Sequence, residues 1–131
     1  MTNLEEAKEF FAADRYATEV TGIEILEVGE HYAKCALNID GRHKNAVGHV
    51  MGGVIFTLAD FVFAVATNFA APSPTVTVTS SISYLASPSG NVLYGVAKLL
   101  KDGKRNCFYE ITITDDLGTP VAIVTTNGAH L

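Results

Sequence analysis

The chain has 131 residues, a length that suits one domain spanning 1–131. Apolar residues make up 48% and charged residues only 18%, which excludes intrinsic disorder because ample apolar surface offsets the entropy of ordering. A net charge of −5 argues against a phosphate-tracking nucleic-acid surface.

In chain order, Met1–Glu6 has neither a basic nor an apolar run, so no signal peptide is expected and the location expected is cytoplasmic. Leu4 to Asp14 reads as a short amphipathic helix, with Leu4, Ala7, Phe10 and Phe11 at helical spacing and Asn3 as its cap. Residues 20–28 and 32–40 alternate as strands around a Gly29-Glu30 turn, and Ala33, Cys35, Leu37 and Ile39 share one face. Gly41 to Gly48 is a polar loop. A helix over about Gly52 to Phe69 is apolar almost all round, which predicts burial on nearly every side. Pro72-Ser73-Pro74 stops it, and strands follow at 75–85, 91–101, 104–114 and 119–127. Asp102-Gly103 is the strongest hairpin signal. Cys35 and Cys107 each sit alone in a strand without a CxxC spacing or a His cluster, so reduced thiols and no metal site are expected.

Charge is unevenly spread. Nine of the fourteen acidic residues lie in the first forty positions, whereas from Asn45 to Ala97 Asp60 is the one carboxylate, with no Lys or Arg. Val50 to Ala71 is long enough to suggest a membrane span, but Asp60 would sit near the bilayer centre at a cost of roughly 2.5–3.5 kcal/mol. A helix covered by a curved, largely antiparallel sheet of about six strands, in an α+β fold, is the better reading.

A carboxylate in such a helix must be paired, neutralised or presented at a cleft. Either Asp60 bonds a neighbour such as Thr57, or it is functional. Gly52-Gly53 opens the same helix, where unpaired N–H groups and the helix dipole favour a developing negative charge. Gly53 and Asp60 are seven residues apart, roughly 10 Å along a helix. One helix therefore cannot aim both at one atom, whereas two antiparallel helices across a two-fold can. Thr75, Thr77, Thr79, Ser81 and Ser83 are expected on one face of the third strand, either solvated or lining a polar cleft.

Asn45 through Asp60, read as N…MGG…LAD, resembles the motif of hotdog-fold acyl-CoA thioesterases of the phenylacetic-acid-degradation (PaaI) type. Ile82-Ser83-Tyr84-Leu85, Lys101 to Arg105 and Asp116-Leu117-Gly118 add to the resemblance, which runs from about Thr21 to His130. It implies a sheet wrapped around one long central helix and a homodimer or dimer of dimers. The implied reaction is hydrolysis of acyl-CoA thioesters, with no cofactor beyond the CoA of the substrate. By the same resemblance the N–H groups at Gly52 and Gly53 polarise the carbonyl, and Asp60 of the other subunit attacks or activates water. Asn45 orients the carbonyl or water, and Thr77 holds the water. Met51 stands where the family has a His, and His49 is the nearby imidazole. Lys104 and Arg105, with Lys98, Lys101, Arg42 and Lys44 behind them, are the cations expected to meet CoA phosphates, or else ordinary solvated charges. A non-catalytic acyl-CoA or lipid-binding module is the alternative, and hydratase chemistry ranks below both.

Overall fold

The computed structural model describes residues 1–131. Helix α1 (Asn3–Phe11) is followed by a π-helical turn (Tyr16–Thr21), strands β1 (Ile23–Gly29) and β2 (Tyr32–Asn38), and a 3-10 turn (Gly41–His43). Helix α2 (Gly52–Asn68) then leads to β3 (Thr75–Tyr84), β4 (Val92–Asp102), β5 (Asn106–Asp115) and β6 (Pro120–His130). The six strands form one sheet in the order β1-β2-β4-β5-β6-β3, with every neighbouring pair antiparallel. The expected α+β architecture, a curved antiparallel sheet around one long helix, is the one observed.

Strand ends shift by one to three residues from the sequence reading, and three differences have a physical cause. The cap of α1 is Thr2, not Asn3: Thr2 and Glu5 form a reciprocal capping box, and the helix ends at Phe11. Residues 20 and 21 belong to the π-helical turn instead of the first strand. The Arg42 guanidinium binds the carbonyls of Glu19 and Val20 at 3.3 and 3.0 Å, and Gly22 at φ 90° ends the turn in a left-handed conformation open to glycine. Finally, α2 is not buried all round. Ile55, Leu58, Ala59, Phe61, Val62, Phe63, Val65 and Ala66 are buried. The row Gly53, Thr57, Asp60, Ala64 and Thr67 is exposed or half-buried. These residues recur at helical spacing along the side of α2 turned away from the sheet.

The core lies between α2 and the inner face of the sheet. Leu58, Val62 and Val65 have no exposed surface, and each such side chain contributes about 1.5–3 kcal/mol relative to exposure. Two strand glycines let the helix come close. A Cβ on Gly95 would stand 2.9 Å from Val62 Cγ2, and one on Gly128 would stand 2.7 Å from Phe63 Cζ. Phe61 meets Phe11 edge-on with ring centroids 5.9 Å apart, which fastens α1 to α2. Both thiols are buried, and burial pushes Cys35 up to about 12.

The β5–β6 turn carries a structural carboxylate that the sequence reading passes over. Asp115 Oδ2 accepts the N–H groups of Ser89 and Gly90 at 2.7 and 2.9 Å, and Oδ1 accepts those of Leu117 and Thr119 at 3.0 and 2.8 Å. Burial alone would raise this carboxyl, but the N–H groups of Gly90, Thr119 and Ser89 and the Thr119 side chain hold it well below its ordinary value of 3.8. The folded chain thus binds this proton more weakly than the unfolded chain. The stabilisation is complete above about pH 4 and fades as pH falls below it. Asp115→Asn should melt at a lower temperature than wild type at pH 7, with the gap closing as melts are repeated down to about pH 2. A gap that stays constant across that range would overturn the assignment.

Candidate active site

The segment before α2 is held by local hydrogen bonds. Buried His43 accepts the Asp40 N–H at Nδ1, so its Nε2 carries the proton donated to the Thr21 carbonyl at 2.7 Å. The His43 carbonyl in turn accepts the Met51 N–H at 2.9 Å. Between them, Asn45 Oδ1 accepts the N–H groups of Val47 and His49, both at 3.1 Å, and Gly48 turns the chain at φ 84°. This closes a small loop whose ends bridge at Lys44 and Val50. The carbonyl oxygen of Asn45 is occupied by its own loop, which leaves only its exposed NH₂ to meet a ligand.

At the start of α2, the Met51 carbonyl accepts the N–H groups of Val54 and Ile55, while those of Gly52 and Gly53 have no acceptor within the chain. Tyr84 at the end of β3 donates its hydroxyl to the Gly52 carbonyl at 2.9 Å. A Cβ on Gly52 would stand 3.0 Å from that hydroxyl, so only glycine accommodates the clamp without a shift. A hollow of about 320 Å³ bounded by Val50, Gly52, Ile55, Tyr84, Leu85 and Pro88 opens there. Tyr84 is thus a site residue that the sequence reading placed only within a motif; a phenol nine residues into a strand has no sequence signal of its own. Met51 is 53% exposed and its methyl lies over Gly53, where a Cβ would stand 3.2 Å from it.

Asp60 is two turns along, on the open row of α2. Thr57 donates instead to the Gly53 carbonyl at 2.7 Å, so the anticipated Thr57–Asp60 bond is not made. No hydrogen bond or ion pair engages the Asp60 carboxylate. It lines a hollow of about 380 Å³ with Ala13, Asp14, Tyr16, Phe61 and Ala64. Desolvation there, and next the Asp14 carboxylate, raise Asp60 above its ordinary value of 3.8. Asp14 likewise has no cationic partner, since Arg15 is paired with Glu19 at 3.0 Å. The two acidic groups share one hollow, and the Asp14 charge there favours the protonated form of Asp60.

The other expected site residues fall into separate places. A bulge between Thr77 and Thr79 reverses the alternation of β3. Thr75 and Thr77 face the helix side, followed beyond the bulge by Ser80, Ile82 and Tyr84, while Thr79, Ser81 and Ser83 face outward. The single hydroxyl face expected from the sequence is therefore split, because an inserted residue has no signature in simple alternation. His49 lines a different hollow with Lys44, Asn91 and Asp40. Lys104 and Arg105 lie on the β4–β5 turn, where the His130 N–H bonds the Arg105 carbonyl, at the far end of their own α2 from Gly52. Arg42 is committed to Asp40 and the π-helical carbonyls and is structural.

A six-stranded antiparallel sheet around one long central helix defines a hotdog architecture. The family profile of the thioesterase superfamily matches residues 47–122, and the chain belongs to that superfamily. A "Putative esterase" of Archaeoglobus fulgidus is 29% identical over 121 residues, covering 92% of this chain and 78% of that protein. The Escherichia coli PaaI protein of the phenylacetic acid degradation operon superimposes with a TM-score of 0.89 at 22% identity, over 98% of this chain and 94% of the other. A hypothetical thioesterase protein of Streptococcus pneumoniae, solved with coenzyme A, gives a TM-score of 0.84 at 22% identity over 95% and 96% of the two chains. The fold is the PaaI-type hotdog fold, as the resemblance implies. No helix is long and apolar enough to cross a membrane.

Proposed function

We propose that the protein hydrolyses acyl-CoA thioesters, with Asp60 of one subunit and the N–H groups of Gly52 and Gly53 of another acting on one thioester. The observation that carries this reading is Asp60 itself, an unpaired carboxylate on the open row of an otherwise apolar helix. A structural carboxylate would have partners, as Asp115 does. The coenzyme A bound by the Streptococcus pneumoniae relative supports CoA as the thiol.

The thioester carbonyl oxygen accepts hydrogen bonds from the free N–H groups at the helix start, which favour the oxyanion of the tetrahedral intermediate. Asp60 supplies a carboxylate that attacks the carbonyl carbon or takes a proton from an attacking water, and in either role it must be ionised beforehand. Where Asp60 deprotonates the water, the CoA thiolate leaves and recovers that proton as the acid is released. Where Asp60 attacks, loss of the thiolate leaves a mixed anhydride on Asp60 that a water then hydrolyses to the acid. Asn45, through its free NH₂, and Thr77, from β3, would orient the carbonyl and the water.

An open sheet edge supports the sharing of the site between subunits. Strand β3 is at the sheet edge, with Val76 44% and Val78 59% exposed, an edge suited to pairing with a second copy. Tyr84 binds Gly52, and Asn68 binds Thr75, so α2 runs antiparallel to β3. Two β3 strands paired antiparallel across a two-fold therefore set the two α2 helices antiparallel, and each helix start faces the partner's Asp60 row. The same operation carries the partner's Lys104 and Arg105 toward the Gly52 end, within reach of CoA phosphates. Thiol release from a panel of aliphatic and aromatic acyl-CoAs tests the reading. Turnover is expected for at least one of them, and none across the panel would overturn it. Met51, whose side chain offers no N–H donor where the resembling family motif has a His, favours as second reading a module that binds acyl-CoA without turnover. Calorimetric binding with no thiol release would single that out.

A further inference from the structure

A hollow of about 430 Å³ is separate from the one that holds Asp60. It lies at the C-terminal end of α2, between the β1–β2 and β4–β5 turns. Asn68, whose side chain bonds both the N–H and the carbonyl of Thr75, is eight residues from Asp60, roughly 12 Å along the helix. The two hollows therefore cannot act on one atom of one substrate within a protomer.

Three side chains on its wall are joined in series. Thr75 Oγ1 lies 2.7 Å from His130 Nδ1, and His130 Nε2 lies 2.8 Å from Asp102 Oδ1. An ionised carboxylate only accepts hydrogen bonds, so the His130 proton sits on Nε2 and points at Asp102. Nδ1 is then left with a lone pair, and the Thr75 hydroxyl must donate to it. This is the order of parts that activates a hydroxyl nucleophile: hydroxyl, imidazole base, and a carboxylate that fixes the imidazole's tautomer. The second Asp102 oxygen faces His31, with Nε2 3.8 Å away, and the Tyr109 hydroxyl fixes that ring from its other nitrogen at 3.3 Å.

The backbone of the same wall is strained. His31 at φ 55° and Ala70 at φ 56° are the only residues other than glycine with positive φ, and both line this hollow. Such strain is stored preferentially at functional sites. Lys104, which makes no ion pair, stands on the rim as a positive charge, and Ala66, Phe69 and Pro72 give the hollow an apolar side. Thr75 is only 6% exposed, so its hydroxyl is reached through the hollow.

We infer that Thr75, His130 and Asp102 form a second acyl-transfer centre, independent of Asp60, that takes small acyl esters. Thr75 Oγ attacks the ester carbonyl carbon while its proton passes to His130 Nδ1. The tetrahedral intermediate expels the alcohol, which takes that proton, and the acyl group stays on Thr75. A water then gives its proton to His130 and attacks the acyl carbon. The carboxylic acid leaves and Thr75 recovers its proton. His130 acts as base and acid; Asp102 is a positioning residue that touches only the imidazole.

The test uses p-nitrophenyl acetate and the full-length Asp60→Asn protein, so that the first site does not contribute. Release of p-nitrophenolate is expected to continue in Asp60→Asn, to fall at least about tenfold in Asp60→Asn/Thr75→Val, and to persist in Asp60→Asn/Thr75→Ser. Acid-quenched samples should carry an acetyl group on Thr75 by peptide mass spectrometry, a readout that a merely structural hydroxyl would not give. The inference is overturned if Thr75→Val leaves the rate unchanged, or if no acetyl group is found on Thr75. Should Thr75→Val fail to fold, the mass measurement on Asp60→Asn decides alone.

Discussion

Replacing Asp60 by Asn is expected to lower kcat/KM for acyl-CoA hydrolysis by about a hundredfold to ten-thousandfold, the range a positioned carboxylate contributes. Stability should not fall with it. Asp60 is raised above its ordinary value by desolvation and by Asp14, so the folded chain binds that proton more tightly than the unfolded chain. At neutral pH the ionised group costs stability, and the cost disappears as pH falls through the folded value. Asp60→Asn should therefore melt at the same temperature as wild type or higher at pH 7, the opposite of Asp115→Asn. The same shift sets the acid limb of kcat/KM above pH 3.8, because the reaction needs the ionised form. Asp14→Asn removes the like charge and should move that limb to lower pH. Undiminished hydrolysis by Asp60→Asn would remove the carboxylate from the reaction. A lower melting temperature for that variant would instead give it a structural role.

That contrast between two aspartates shows what the sequence makes legible. Asp60 stands out because it is alone among apolar residues, and its segment repeats at helical spacing, so both residue and helix are readable. Asp115 sits in Asp115-Asp116-Leu117-Gly118, an ordinary turn, and its four N–H donors include two from Ser89 and Gly90, brought to it only by tertiary folding. Alternation and turn residues likewise locate six strands, but the place of β3 beyond β6 depends on a long-range crossover with no local signal. The bulge in β3 and the π-helical turn are invisible for a related reason. Each is imposed by neighbours, the first by β6 register and the second by Arg42 and Gly22. The triad of Thr75, Asp102 and His130 joins residues up to 55 positions apart, each at the end of a different strand. The role of Tyr84 carries no local signal for the same reason, since what marks it is its bond to a glycine 32 residues earlier.

Complementation between two inactive variants should separate a shared site from a self-contained one. Asp60→Asn keeps its own glycine pair. Gly52→Val keeps its own Asp60, but its side chain meets the Tyr84 hydroxyl and obstructs the free N–H groups. Each homodimer is then expected to be nearly inactive. If Gly52 of one protomer serves Asp60 of the other, a hybrid dimer holds one intact site and one doubly impaired site. Random mixing makes half of all dimers hybrid, so co-expression should recover about a quarter of wild-type activity. If each protomer instead used its own Gly52 and Asp60, every hybrid site would carry one lesion and the mixture would stay inactive. The eight-residue spacing of Gly52 and Asp60 argues against that second outcome for a single helix, because about 12 Å of rise separates the two groups and a reacting carbonyl spans far less. Recovery would thus test the two-fold and the chemistry in one measurement. Failure to recover, with hybrid dimers confirmed by mass, would mean that β3 does not pair with its copy or that Gly52 and Asp60 do not meet.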